Sequence, residues 1–212
     1  MSKEEASLKF WDQKDLDRFT IIKQFSSGSR YDFFQVVDQE TNQKYVFKIL
    51  KIEHSYQEQS SLFHYNTIKT FVQTAEIISF FDSPFIVKII GICTNYEYHQ
   101  NKTAATILEY CPNGSIGDLI RSKKSDNISS KWNDTRKLIC IYGIAVAMSL
   151  IHSRDIICVN LKPESILLDE NFYPKISDFS TSKIDGMNDT FSSQMDTYAL
   201  GYMAPEVINE GY

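Results

Sequence analysis

The chain has 212 residues, of which 42% are hydrophobic and 23% charged, a balance that fits a globular protein with a buried core and excludes a disordered one. Its 27 acidic side chains outnumber 22 basic ones, for a net charge of −5, and there is no long basic run, so a nucleic-acid footprint is not expected. At this length one domain, or two small lobes, accommodates the chain. The four cysteines, Cys93, Cys111, Cys140 and Cys158, show no C-x-x-C spacing, and reduced thiols in an intracellular protein are expected.

The opening M-S-K-E-E-A-S-L-K-F carries charges where a secretory leader needs an apolar core. The longest uncharged apolar run, Leu138–Ile151, has 14 residues, fewer than the roughly 18 needed to span a bilayer. A cytoplasmic location without membrane insertion is the expectation.

Asp15–Lys23 leads into two strands, around Phe19–Phe25 and Phe33–Asp38, joined by S-S-G-S-R-Y-D. Gln39–Gln43 reads as a turn and Lys44–Leu50 as the next strand. His54–Ser61 is a polar loop. Leu62–Phe81 has helical periodicity and stops before Asp82-Ser83-Pro84, because the residue preceding a proline is pushed out of the helical region. Phe85–Cys93 and Ala104–Glu109 read as two more strands. Glu109–Ile120, E-Y-C-P-N-G-S-I-G-D-L-I, holds a Pro-Asn-Gly turn suited to a linker, with a short helix after it.

Arg121–Lys131 is polar. Asn133 or Asp134 caps a helix that runs through Ser153, with Leu138, Ile141, Ala145, Met148 and Ile151 along one side. Ile139, Ile144, Val146 and Leu150 occupy its other sides, so burial nearly all round is expected. Ser165–Asp169 and Tyr173–Ser177 make a small hairpin that ends in Asp178-Phe179-Ser180.

Three segments go beyond this strand and helix order: Ile157–Leu168 (I-C-V-N-L-K-P-E-S-I-L-L), Lys175–Ser180 (K-I-S-D-F-S) and Tyr202–Glu206 (Y-M-A-P-E). In order and spacing they resemble the catalytic loop, the metal-binding turn and the end of the activation segment of the eukaryotic protein kinases, in the Ser/Thr or tyrosine-kinase-like branch. The resemblance covers Asp15 to Tyr212. It implies an α+β, protein-kinase-like, two-lobed fold within one domain, 1–212. Residues 15–110 would form a small lobe of antiparallel sheet plus one helix. Residues 111–212 would form a partial, mainly helical large lobe, truncated after the activation segment.

The resemblance also implies site residues. Gly28 falls in the glycine-rich turn, whose other glycine positions read Ser26 and Tyr31. Lys48 falls where the family's lysine holds the α- and β-phosphates, Lys162 where a lysine meets the γ-phosphate, and Asp178 where an aspartate binds Mg²⁺. Backbone groups of Glu109 and Cys111 would hold adenine, sandwiched by Phe33, Val46 and Leu167. Alone, one glycine in a hairpin is an ordinary turn, and one lysine on a strand an ordinary solvated side chain. Only the ordered set lifts them above that.

The departures from the family pattern are concentrated in the chemistry. Asn160 stands at the general-base position and, as an amide, is not a useful base. Cys158 and Val159 replace the neighbouring His and Arg, and Ser165 replaces the second metal-holding residue, where its shorter hydroxyl remains the candidate metal ligand. Thr74 falls where a helix glutamate would orient Lys48. Glu76, two residues on, is rotated by about 200° onto another face. Phe33 and Val46 are both larger than the family's residues and are expected to shrink the adenine slot or fill it outright, the plainer alternative being that Phe33 turns outward on a flexible hairpin. The sequence therefore implies a catalytically impaired pseudokinase, with ATP and Mg²⁺ binding weak or absent. It would act as a scaffold or allosteric partner for other signalling proteins or an active kinase. The alternative is a protein serine/threonine kinase of low activity using Mg-ATP. Thr190, Ser192, Ser193 and Thr197 are candidate phosphosites, with solvated loop hydroxyls the more ordinary reading.

Overall fold

A computed structural model describes residues 8–51, 61–122, 132–158, 160–180, 182–184, 201–202 and 204–205, with backbone only for 61–64 and 183–184. Val159, Glu206 and the four candidate phosphosites lie outside the described residues. The chain divides into two compact units: the residues up to Asp82 with Lys88–Tyr110, and Ser83–Val87 with the residues from Cys111 onward.

The first unit begins with a short helix α1 (Gln13–Leu16), capped by Asp12, whose carboxylate accepts from the Lys14 and Asp15 backbone N–H groups. Strands β1 (Phe19–Ser27), β2 (Tyr31–Asp38), β3 (Lys44–Leu50), β4 (Ile89–Tyr98) and β5 (Asn101–Glu109) form an antiparallel sheet in the order β1-β2-β3-β5-β4. Helix α2 (Ser61–Ser79) packs on one face, where Leu50, Phe71, Ala75, Ile92 and Ala104 form a core. The other face is covered by the N-terminal segment, with Leu16, Phe19, Val36, Phe47, Ile49 and Ile107 buried together. Period-two alternation along β2 and β3 supplies both cores, since successive side chains point to opposite faces.

The start of the described chain also closes an edge of this sheet. The Ile92 N–H donates to the Lys9 carbonyl (2.9 Å) and the Trp11 N–H to the Ile92 carbonyl (2.7 Å). A Cβ on Gly91 would lie 2.6 Å from the Trp11 ring, so this close approach requires glycine there. At the far edge, the Arg18 guanidinium pairs with the buried Asp38 carboxylate and holds it below the usual carboxylate range. The β4–β5 turn is made by His99 (φ 50°) and Gln100 (φ 65°), both left-handed, as a tight two-residue hairpin demands. Neither residue is a usual signal for such a turn.

One expected strand is divided. The run expected as one strand from Phe85 to Cys93 begins its strand only at Ile89. Phe85–Val87 instead bonds along strand β8 (Pro174–Ile176) of the second unit, where the Ile176 N–H donates to the Phe85 carbonyl and the Val87 N–H to the Ile176 carbonyl, both 2.9 Å. A continuous apolar run carries no mark of which sheet each part joins.

In the second unit, Gly114 takes φ +66° in the Pro-Asn-Gly turn, and helix α3 (Ile116–Arg121) follows, capped by Ser115 with Asp118 reciprocating. Helix α4 (Asp134–His152) is capped by Asn133, whose side chain accepts from the Arg136 N–H at 3.0 Å. Strands β6 (Ile156–Ile157) and β9 (Lys183–Ile184) pair, as do β7 (Ile166–Leu168) and β8 (Pro174–Ile176).

Burial of α4 differs from expectation. Its inner face is Cys140, Gly143, Ala147 and Ile151, whereas Leu138, Ile141 and Tyr142 are 67%, 66% and 65% exposed. The small residues decide the contact face: a Cβ on Gly143 would already meet the Pro174 ring at 2.7 Å and the Phe85 ring at 2.8 Å. At 19 residues this helix is long and apolar enough, by length and composition, to cross a bilayer, although the apolar run alone is shorter.

Candidate functional site

The catalytic-loop and Asp-Phe-Ser residues come together within the second unit. Antiparallel pairing of β7 with β8 sets Ile166 opposite Ile176, which brings the residues just before β7 beside those just after β8. Both the N–H and the hydroxyl of Ser177 donate to the Ser165 carbonyl at 2.9 Å. Phe179, 1% exposed, anchors the turn in the core and leaves Asp178 facing the loop.

There Asn160 Nδ2 donates to Asp178 Oδ2 at 2.8 Å. The other carboxylate oxygen, Oδ1, accepts from the Ser180 N–H (3.1 Å) and the Ser180 hydroxyl (2.7 Å). Both oxygens of the retained anion are thus met by neutral donors. Ser180 was not singled out from sequence; the only signal was a hydroxyl two residues after an aspartate, a common local turn partner.

Ser165 is buried and turned into its own loop. Its hydroxyl lies 3.0 Å from the Asn160 carbonyl and 2.9 Å from the Lys162 carbonyl, sharing its proton between them, and accepts from the Lys162 N–H at 3.1 Å. It therefore closes the loop, where a metal ligand had been expected. As arranged, Asn160, Ser165 and Asp178 offer a divalent ion one carboxylate whose oxygens already accept hydrogen bonds. Mg²⁺ is ordinarily held by one or two carboxylates, with waters and substrate phosphates completing six oxygens, so binding here would require Asp178 to give up hydrogen bonds it now accepts. Among the described residues no cluster of three or more His, Cys, Asp or Glu could hold a metal ion.

Lys162 is half-buried at the start of the Pro163–Ser165 turn. Glu164 forms an ion pair with Arg121 at 2.6 Å. Gly117 makes room for it, since a Cβ there would lie 2.8 Å from Glu164 Oε1. Cys158, at the position of the family's histidine, has its thiol pKa pushed up by burial, so it is not an activated nucleophile. Leu167 points away from the buried pair Ile166 and Leu168, and Cys111 is buried, its carbonyl accepting from the Gly114 N–H at 3.4 Å.

The nucleotide-side candidates of the first unit are arranged as follows. The Gly28 N–H, which in a phosphate cradle would face the ligand, donates to the Tyr31 carbonyl at 2.9 Å, and the Gly28 carbonyl accepts from Lys51 Nζ at 3.0 Å. Asp32, buried beside this turn, accepts from Ser27 Oγ (2.6 Å), Gln24 Nε2 (3.1 Å) and the Tyr98 hydroxyl (2.9 Å). Burial pushes the Asp32 carboxyl up, but these hydrogen bonds and Lys51 outweigh it and leave it below its ordinary value. Burial and the bond to Asp32 push Tyr98 up to about 12.

Lys48 sits on β3 directly opposite Phe33, and its Nζ lies 4.0 Å from the Tyr31 ring centroid. Phe33 also neighbours Phe25, with ring centroids 6.2 Å apart. Val46 is buried between Gln35 and Leu108. Thr74 donates its hydroxyl to the Thr70 carbonyl one turn back on α2, at 3.0 Å, and Glu76 is exposed, so neither takes the place of the family's helix glutamate. The Glu109 N–H donates to the Lys88 carbonyl at 3.0 Å while its carboxylate accepts from the Lys88 N–H at 2.6 Å, fixing the end of β5.

Comparison with known proteins follows this geometry. A family model described as protein kinase domain matches residues 19–212. A leaf rust 10 disease-resistance locus receptor-like protein kinase of Arabidopsis thaliana is 35% identical over 132 residues, covering 60% of this chain and 20% of the relative. A PR5-like receptor kinase of the same plant is 34% identical over 131 residues, covering 60% of this chain and 18% of the relative. A probable LRR receptor-like serine/threonine-protein kinase, also from Arabidopsis, is 31% identical over 147 residues, covering 68% and 14%. The chain therefore spans a fifth or less of the length of these relatives.

Proposed function

For a chain that belongs to the protein kinase domain family, we propose a pseudokinase role: a signalling scaffold or allosteric partner for another signalling protein or an active kinase, working without phosphoryl transfer. The observation that carries this reading is the Asn160 amide on the Asp178 carboxylate at 2.8 Å. Protein kinases as a class use the aspartate at the first position as base and that at the second to hold Mg²⁺. Here the first is an amide with no basic lone pair, and its N–H group occupies an oxygen the ion would need. Loss of a positioned base alone removes about 10²–10⁴ of rate.

Three further features support nucleotide-free function. The Gly28 N–H closes its own turn, Ser165 closes its own loop, and Phe33 and Val46 are larger than the residues that sandwich adenine in the family. A cytoplasmic place without membrane insertion belongs to the same proposal. So does the absence of nucleic acid among its ligands.

The test is a thermal melt with and without saturating Mg-ATP. A ligand at a hundred times its Kd adds about 2.7 kcal/mol, enough to raise the midpoint by roughly 5–10 °C in a chain of this size. No magnesium-dependent shift is expected. A clear shift, abolished by Asp178→Asn, would overturn the proposal. It would favour the second reading, a serine/threonine kinase of low activity, for which the retained Lys48, Lys162 and Asp178 speak.

A further inference from the structure

Three aromatic rings surround the ammonium of Lys48. Its Nζ lies 4.0 Å from the Tyr31 centroid and 5.8 Å from those of Phe33 and Phe71. Cation–π attraction acts within about 6 Å of a ring centroid and strengthens as water is excluded, so all three are in range. The rings arrive from separate elements by ordinary geometry. Phe33 is the direct cross-strand partner of Lys48, and Tyr31, two residues along β2, projects from the same face. Phe71 comes from α2, is 3% exposed, and places its ring 5.9 Å from that of Tyr31. Tyr31 and Phe33 stand 6.3 Å apart at 67°, forming two walls that meet at an angle.

We propose that Tyr31, Phe33 and Phe71 form an aromatic cation cage within the first unit. Lys48 is its resident cation and Tyr31 its principal wall, and a primary alkylammonium ion can take the place of the Lys48 side chain. The cage accounts for large aromatic residues at two positions of the hairpin turn region, and gives the lysine a structural role that needs no nucleotide.

Chemical rescue tests this. Lys48→Ala removes three methylenes and the ammonium, the outline of n-propylammonium. The variant is expected to melt roughly 2–6 °C below the parent chain. n-Propylammonium chloride should raise the midpoint of the variant, but not of the parent, relative to sodium chloride at equal ionic strength. 1-Propanol, of the same size and uncharged, should not. Tyr31→Leu in the Lys48→Ala background should abolish the rescue. Equal effects of the amine and the alcohol, or rescue that survives Tyr31→Leu, would overturn the cage. If Lys48→Ala does not fold, the parent chain still decides. Lys48 side-chain methylene protons should resonate upfield of the ordinary lysine range through ring currents, and Tyr31→Leu should return them. Unshifted methylenes would overturn the proposal. None of these readouts involves ATP, so the cage can fail while the pseudokinase reading stands, and the reverse.

Discussion

In the first unit the retained charge is a cation, Lys48, and its neighbours are the faces of Tyr31, Phe33 and Phe71. In the second it is an anion, Asp178, and its neighbours are the Asn160 amide and the Ser180 N–H and hydroxyl. Among the contacts each makes are uncharged groups suited to its sign: π-electron density for the cation, polar hydrogens for the anion. A neutral environment of the right polarity thus helps to hold a charged side chain, with or without catalytic use of its charge. Retention of such a residue is weak evidence that its chemistry is retained.

The largest expected effect comes from the wall the cage shares with the core. Phe71→Ala should cost about 3–5 kcal/mol in denaturant unfolding, because it empties a buried site as well as opening the cage. A cost under about 1 kcal/mol would mean that α2 does not lean on this ring.

Asn160→Asp attacks the other region. It replaces a hydrogen bond by two facing carboxylates, for an expected loss of about 1–3 kcal/mol at pH 7. Like charges raise the proton affinity of such a pair. The loss should therefore be present above the raised folded pKa and shrink as pH falls through it, and Mg²⁺ should relieve it at pH 7. A melt series from pH 7 to pH 4.5, with and without Mg²⁺, reads both; equal destabilisation throughout would sink the electrostatic account.

Tyr98→Phe should cost about 1 kcal/mol by removing the hydroxyl from the buried Asp32. In the parent chain Tyr98 ionises at about 12 against an ordinary 10. Its stabilising, protonated form is thus fully present below pH 10 and lost as pH rises through about 12. Tyr98 should titrate late at 295 nm, alongside Tyr96, which burial also pushes up, and the late amplitude should fall in Tyr98→Phe.

The smallest effect is expected from Ser180→Gly, which restores the family's residue and removes one hydroxyl donor at 2.7 Å. A loss of about 0.5–1 kcal/mol would fit, and a gain in stability would show that Asp178 prefers another arrangement.

Much of the order of elements was legible because it rests on local signals. Lys44–Leu50, read as a strand after the Gln39–Gln43 turn, forms one at those bounds. Asn133 or Asp134 was the expected cap of α4, and the structure selects Asn133, while Pro84 marked the break after α2. The family's motifs were likewise contiguous strings and could be read directly. The division of Phe85–Cys93 between two units was not legible, because its apolar residues satisfy either sheet equally well.

Sequence by itself thus determined the family, the strand and helix order, and the replacement of the catalytic aspartate by Asn160, all properties of residues near one another along the chain. Only tertiary structure decided that α4 buries Cys140, Gly143, Ala147 and Ile151 while Leu138, Ile141 and Tyr142 stay exposed. Close approach selects small side chains, and hydrophobicity does not reveal that. It also decided where the hydroxyl of Ser165, the amide of Asn160 and the ammonium of Lys48 find their partners. Each of those contacts joins atoms separated along the chain or depends on a side-chain rotamer, and sequence spacing specifies neither.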